Sequence, residues 1–332
     1  MRVRMKDIAR DLGISPMAVS KALRNHSDIS VETKERVLKR AAELNYRVDW
    51  VARSMVTGRT YLVGLVVPDL MQSFFAEIAS ALTAVLAPAG YFLLISDTSE
   101  RAAEEAANIE VLVSRKVDGL IIASAQRAGT ALEKLKTPYV LIDRRISGLD
   151  ANYVGTKNED IGSLATEHLI EQGCRRIAHL RGPMLSTAVG RLRGYRRTLE
   201  KHGLPTPEDL IVEAGHQDTT GYQAMQKLLA QTPRPDGIFC FNDPVAIGAM
   251  HAILDAGLSV PQDIAVIGAA NMHYSDILRI PLSTVDQCTA QMGEQAARLL
   301  LDSIAAKKTP PPRQIVIPPR LIVRTSSQRI RR

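Results

Sequence analysis

The chain of 332 residues is short of several things, and each shortage excludes a class of protein. Its 3 cysteines (Cys174, Cys240 and Cys288) lie far apart, which suits neither a disulfide framework nor a zinc knuckle. Long apolar runs are missing: a stretch such as Tyr61–Pro68 is far short of the roughly 20 residues a membrane span needs. Near the start, Arg2, Arg4, Lys6, Asp7, Arg10 and Asp11 break up any apolar stretch that could act as a secretory signal, so a cytoplasmic protein is expected. No G-x-G-x-x-G or G-x-x-x-x-G-K-S/T motif follows a strand-like run, which argues against dinucleotide and P-loop chemistry. The 7 histidines are scattered, and no Ser/His/Asp or clustered His/Cys/Glu set is visible. Neither an enzyme, nor a metal, nor a cofactor is expected. What remains is a chain with 45 % apolar and 23 % charged residues, the balance of a soluble globular protein. At about 100–200 residues per domain, it should hold two or three domains.

The net charge of +7 is unevenly spread: residues 1–59 carry +6, residues 324–332 carry +4, and the stretch between them carries −3. A small basic head on a slightly acidic body points to a partner with phosphates.

The head reads as helices. Met5–Leu12 puts Ile8, Ala9 and Leu12 on one stripe, and Gly13 is a helix stop. Ser15 and Pro16 read as an N-cap and first helical residue of a second helix reaching about Arg24, with Val19, Ala22 and Leu23 inward. Ser30 caps a third, running to about Leu44. Two short helices joined at Gly13 are the elements of a helix-turn-helix, whose second helix presents its N-terminal residues to base edges in the major groove. Here those residues are Pro16, Met17 and Ala18, with Lys21 one turn beyond Met17. Lys21 can donate to guanine O6 and N7, whereas Pro16, Met17 and Ala18 offer apolar contact. Ser15, Ser20, Asn25 and His26 suit phosphates, which position a protein without reading sequence, and Lys6 joins this DNA-facing set. Residues 45–59 are too short and too polar to hold as a helix alone.

From residue 60 the period changes. Apolar runs at 62–67, 92–95, 119–123, 139–142, 177–180, 238–241 and 264–268 alternate with helix-length stretches at 74–88, 101–115, 158–172, 187–202, 219–230 and 243–256. This is the pattern of a parallel, doubly wound α/β architecture, long enough here for two lobes. Ligands of such sheets bind beyond the carboxyl ends of the strands, where Asp69, Ser124, Asp143 and Asn242–Asp243 stand. Each alone can be a turn or a helix N-cap, a strong reading for Asn242–Asp243 before Pro244. As a ring they suggest a small polar ligand in a cleft between lobes.

The stretch MKDIARDLGISPMAVSKALRNHSDISVETKERVLKRAAELNY, followed by VARSMVTGRT, resembles the head of the lactose-repressor (LacI/GalR-type) family of bacterial transcription regulators. VGLVVPDLMQSFFAEI, VDGLIIAS, YVLIDRR, GCRRIAHLRGP, RLRGY, FNDPVAIGAM, DIAVIG and PLSTVDQ continue the family's order through the body. The resemblance implies a helix-turn-helix domain at 1–47 and a hinge helix at 48–59. It then implies two lobes of the periplasmic-binding-protein type, at 60–158 plus 288–318 and at 159–287 plus 319–324, ahead of a basic tail at 325–332. It implies a homodimer on a near-palindromic operator, with hinge helices that form only on DNA and wedge an apolar side chain into the minor groove. Met55 stands at the wedge position where leucine is usual, Val48 where proline is common, and Asp49 where asparagine is; Arg53 offsets that extra carboxylate. The dimer face is expected on helix 74–88 and region 289–304, and the four arginines from Arg324 on read as a disordered basic end.

For the ligand, the resemblance places Phe74 and Phe75 on the first-lobe wall and makes Arg191, in its Arg-x-x-Gly-aromatic motif, an effector-binding arginine. Asp143 and Asn242 would meet ligand hydroxyls, and Gln287 would sit at the crossover between lobes. Core packing is the competing role for Phe74 and Phe75. After Gly268, sugar-binding relatives have an aromatic and an aspartate pair, but this chain has Ala269, Ala270 and Asn271. That departure, with Arg191, Asn271 and His273, suits a sugar acid or phosphorylated sugar as well as a neutral sugar. The alternatives are a corepressor-dependent or activating regulator of the same family, or a two-lobed solute-binding protein, which the basic head excludes.

Overall fold

The computed structural model describes residues 3–23, 25–47, 54, 55, 57–128, 132–306, 308 and 310–329. The chain forms two compact units, residues 1–60 and 61–332, described in turn.

In the first unit, three helices form where the local signals put them. α1 (Met5–Leu12) stops at Gly13, whose φ of 64° lies in the left-handed region that glycine enters without a Cβ penalty. α2 (Pro16–Leu23) begins behind Ser15, whose Oγ accepts the Ala18 N–H at 3.1 Å. α3 (Val31–Glu43) begins behind Ser30, whose Oγ accepts the Thr33 N–H at 3.2 Å. Ile8, Ala9, Val19, Ala22, Val37 and Ala41 make the core. The hinge positions Val48, Asp49 and Arg53 lie outside the described residues; Met55 is described and is 83 % exposed.

The second unit holds two six-stranded sheets. The first contains β1 (Leu62–Val67), β2 (Phe92–Asp97), β3 (Gly119–Ile122), β4 (Tyr139–Ile142), β5 (Tyr153–Thr156) and β11 (Gln314–Ile317), in the order β11-β5-β4-β3-β1-β2. The second contains β6 (Ile177–Arg181), β7 (Ile211–Glu213), β8 (Gly237–Cys240), β9 (Ala265–Ala270), β10 (Ser283–Asp286) and β12 (Arg320–Ile322), in the order β12-β10-β9-β8-β6-β7. All pairings are parallel except β10 with β12. Both sheets reverse their winding beside their first strand, between β1 and β3 and between β6 and β8, the switch points where such sheets leave a crevice. β5, β7, β10, β11 and β12 were not evident as apolar runs because they are short and interrupted by glycine or polar residues.

The chain passes between the sheets three times: after β5, after β10, and between β11 and β12. Helices Asn158–Glu171 and Ser186–Lys201 cover one face of the second sheet and cross very closely. A Cβ on Gly194 would come 2.0 Å from the Glu159 carbonyl oxygen, and one on Gly162 would come 2.1 Å from that of Arg191. Helices Ser73–Leu86 and Thr289–Ala305 likewise pack on each other: a Cβ on Gly293 would lie 2.9 Å from the Ile78 carbonyl. The inner faces of both are therefore consumed within the first lobe.

The C-terminal residues correct an expectation. Through Arg329 they are folded into the second lobe and are not a loose basic end. Ser326 and Ser327 are buried, donating to the Val266 carbonyl and to Ser283 Oγ, each at 2.7 Å. Arg324 donates to the Leu282 carbonyl and Asn271 Oδ1, and Arg329 to the Gln262 carbonyl, all at 2.8 Å. A charge count along the chain cannot register that these cations satisfy backbone carbonyls distant in sequence.

Candidate functional site

In the first unit, Val19 and Ala22 turn α2 toward the core, so Pro16, Met17 and Lys21 share the outward side. Met17 is 69 % exposed. The Ser15 hydroxyl caps the helix, Ala18 and Ser20 are half-buried, and Lys6, Asn25 and His26 are exposed. Asn25, with φ 54°, ends α2 in a left-handed turn, and the His26 N–H donates back to the Lys21 carbonyl at 3.0 Å. That turn carries Asp28 beside the helix: Lys21 Nζ is 2.5 Å from its Oδ2, and His26 Nδ1 is 2.6 Å from its Oδ1. Arg53 lies outside the described residues.

In the second unit, the carboxyl ends of both sheets close on a small cleft. Gln72, Phe74, Phe75, Asp143 and Arg144 line it from one side, and Thr187, Arg191, Phe241, Asn242, Ala270 and Met272 from the other. Gln287, in the crossover after β10, completes it. Its volume of about 30 Å³ holds one or two waters.

Arg191 stands in the second turn of the helix after β6, and the Arg-x-x-Gly-aromatic spacing explains itself. Arg191 points into the cleft, Gly194 lets the helix touch its neighbour, and buried Tyr195 donates its hydroxyl to the Ile177 carbonyl at 2.8 Å. The guanidinium donates to Asn158 Oδ1 and Gln287 Oε1, each at 3.0 Å, and to the Phe241 carbonyl, and it lies 4.7 Å over the Phe241 ring. Burial lowers its pKa to about 10, with Asp143 and Asp243 opposing the shift. Three of its five N–H groups are thus engaged.

Asp143 follows β4 with φ 62°, a left-handed conformation that few residues other than glycine adopt, aspartate and asparagine most readily among them. Burial raises its pKa, while Arg144 and Arg191 pull the other way. Its Oδ1 is buried without a hydrogen-bond partner, and so is Nε of the neighbouring Arg144. The rest of Arg144 grips Glu100 bidentately, both bonds 2.7 Å. Burial drives the Glu100 pKa up, yet this pair outweighs it and holds the carboxyl below its ordinary value. A buried acceptor and donor, orphaned side by side in a cleft wall, are groups a polar ligand would satisfy.

Asn242 is an N-cap: its Oδ1 accepts the Val245 N–H at 3.0 Å, while its Nδ2 donates to the His216 carbonyl at 2.9 Å. Phe74 and Phe75 meet edge to face at 5.1 Å and belong to the first-lobe core while also lining the cleft, so both roles hold. Asp69, Ser124 and Asn271 are not in the lining. Asp69 accepts the Met71 N–H at 2.9 Å and faces His216 across the lobes at 3.6 Å. Ser124 donates at 2.7 Å to Glu105, a buried carboxylate that also accepts from the Ala125 N–H and the Gln126 amide. Asn271 accepts from Arg324. His273 is turned to Glu77, 3.4 Å away. Gln72, Arg144, Thr187, Phe241, Ala270 and Met272 were missed as lining residues, although Arg144 and Phe241 adjoin Asp143 and Asn242 in sequence.

Among the described residues no group of three or more His, Cys, Asp or Glu side chains is arranged to hold a metal ion. No helix among them is long and apolar enough to cross a membrane.

A family model described as bacterial regulatory proteins, lacI family, matches residues 4–49, and a periplasmic binding protein-like domain matches residues 166–327. The HTH-type transcriptional repressor PurR of Mannheimia succiniciproducens is 32 % identical over 331 residues, 98 % of this chain and 99 % of the relative. The ribose operon repressor of Halalkalibacterium halodurans is 32 % identical over 98 % of this chain and 97 % of its own. Of the solved structures, the lac repressor dimer bound to operator and the anti-inducer ONPF superposes with a TM-score of 0.84 at 26 % identity, covering 98 % of this chain and 99 % of that one. These relatives are repressors, not enzymes.

Proposed function

The chain belongs to the lacI family of bacterial regulatory proteins, and from that premise we propose that it represses transcription as a homodimer on a near-palindromic operator, under control of a small polyhydroxylated effector. Each head reads one half-site in the major groove. Met17 and Lys21 address bases, helped by Pro16 and Ala18, and Lys6, Ser20, Asn25 and His26 address phosphates. Met55, with Arg53 two residues before it, is the side chain offered to the central minor-groove step. Such a protein works in the cytoplasm, on the chromosome. The dimer is supported by the lac repressor dimer's likeness over nearly the whole chain.

The observation that carries the effector reading is the unpartnered Asp143 Oδ1 facing a cleft that also holds buried Arg191. A hydroxyl donates to Asp143 Oδ1 and accepts from Arg144 Nε, and a second ligand oxygen takes the two N–H groups of Arg191 that remain. Sugars and sugar acids supply both. The existing space is about one or two waters, so an effector enters only if the lobes part. Ligand occupancy then biases lobe closure, and closure biases the heads. Calorimetric titration with a panel of neutral sugars, sugar acids and sugar phosphates tests the site. One class should bind, and Asp143→Asn should weaken it at least tenfold with the thermal transition retained. Undiminished binding by the variant overturns the assignment.

A further inference from the structure

Among the described residues Lys21 is the one cation on the proposed base-reading face of α2, yet it is not presented to solvent alone. The left-handed turn at Asn25 folds the chain back so that Asp28 meets Lys21 at 2.5 Å through one carboxylate oxygen and His26 at 2.6 Å through the other. The side chains remain partly exposed, 33 % for Lys21 and 46 % for Asp28, so the pair sits at the surface where DNA would approach. The Lys21 hydrogen bond lowers the Asp28 pKa, which keeps it anionic at neutral pH.

We propose that Asp28 is a specificity-determining residue of the DNA-binding head, holding Lys21 back from phosphates while leaving it placed to read a base edge. Moving Lys21 from Asp28 to a phosphate exchanges one anion for another and leaves the Asp28 carboxylate uncompensated beside a polyanion. A guanine edge offers O6 and N7 together, at a fixed place in the major groove, to the two Nζ hydrogens that Asp28 leaves free, so this contact forms without giving up the pair. Asp28 therefore penalises sequence-independent contact more than the matched one, and its effect is on the ratio of the two affinities. In a head with a surplus of six positive charges over residues 1–59, such a brake matters, because phosphate attraction alone binds any DNA.

This rests on Lys21 reading bases, so the test separates the two claims. The full-length chain, Asp28→Asn, Lys21→Met and the double variant are titrated with a selected duplex and with a scrambled one, at low and moderate salt. Exposed ion pairs are weak, so Asp28→Asn should tighten scrambled-duplex binding about 1.5–5-fold per head, or about 2–25-fold when two heads act together. The selected duplex should gain less, so the ratio falls, and the difference should shrink as salt rises. In the Lys21→Met background the change in ratio should vanish. An unchanged ratio, an equal loss on both duplexes, or the same change without Lys21 overturns the proposal; the last would mark simple removal of a negative charge. Lys21→Met alone tests the base-reading claim: an unaltered preference profile would confine Lys21 to phosphates. Asp28→Ser repeats the result with a smaller side chain, guarding against a local effect of asparagine.

Discussion

His179 provides the sharpest stability prediction. It lies in β6, fully buried, stacked on Phe239 at 4.5 Å with its ring nearly parallel. Nδ1 is 3.0 Å from the Phe239 carbonyl, so the neutral ring carries its proton there, and Nε2 has no partner. Burial lowers its pKa from 6.5 to about 4, the Phe239 bond opposing the shift and nearby arginines adding to it. The unfolded chain therefore binds a proton that the folded one refuses. Stability is intact above pH 6.5 and is lost as pH falls toward 4, by about 3 kcal/mol in all and by about 2 kcal/mol between pH 7 and pH 5. His179→Phe keeps the stack and removes the titration. Urea unfolding followed by far-UV circular dichroism, at pH 7 and pH 5 and equal protein concentration, should show the wild type losing about 2 kcal/mol more than the variant over this interval. His168, whose pKa burial also lowers, and the carboxylates titrate in both proteins and cancel. Equal losses would mean that His179 does not meet the acid as a neutral buried ring.

Other substitutions address separate parts of the structure. Gly194→Ala puts a Cβ 2.0 Å from the Glu159 carbonyl; overpacking should outweigh the roughly 1 kcal/mol gain in helix propensity and leave a net loss of about 1–3 kcal/mol in urea. A more stable variant would mean that the two helices separate at little cost. Lys21→Ala should cost about 1–3 kcal/mol on the selected duplex and relax base choice at one position of each half-site, measured by competitive binding. Glu105→Ala leaves the Ser124 hydroxyl, the Ala125 N–H and the Gln126 amide without their acceptor, and should lower stability by about 1–3 kcal/mol. Effector affinity should not change, and a matching loss would return Ser124 to the cleft.

Local chemistry was legible in the sequence, and long-range pairing was not. Gly13, Ser15–Pro16 and Ser30 set helix ends through bonds within three residues, so the three helices of the head could be read with little error. The alternation of apolar runs with amphipathic stretches located the central strands, whose burial on both faces leaves them continuously apolar. Asp143, Arg191, Asn242 and Gln287 do converge. Ser124 obeyed the same strand-end rule as Asp143, but Glu105, 19 residues earlier on another element, takes its hydroxyl. Asn271 is drawn away by Arg324, 53 residues later. No spacing rule registers such partners. The same limit hid Asp28 as the partner of Lys21, because the left-handed turn at Asn25 that joins them has no glycine to announce it.

The most direct test of the repressor reading is selection of bound sequences from random duplex DNA by the full-length chain, followed by salt titration of the winner. A near-palindrome with two half-sites about a deformable central step, bound far more tightly than scrambled DNA, is the expected result. Weak binding without sequence preference and with a steep salt slope, unchanged when cell metabolites are added, would contradict it.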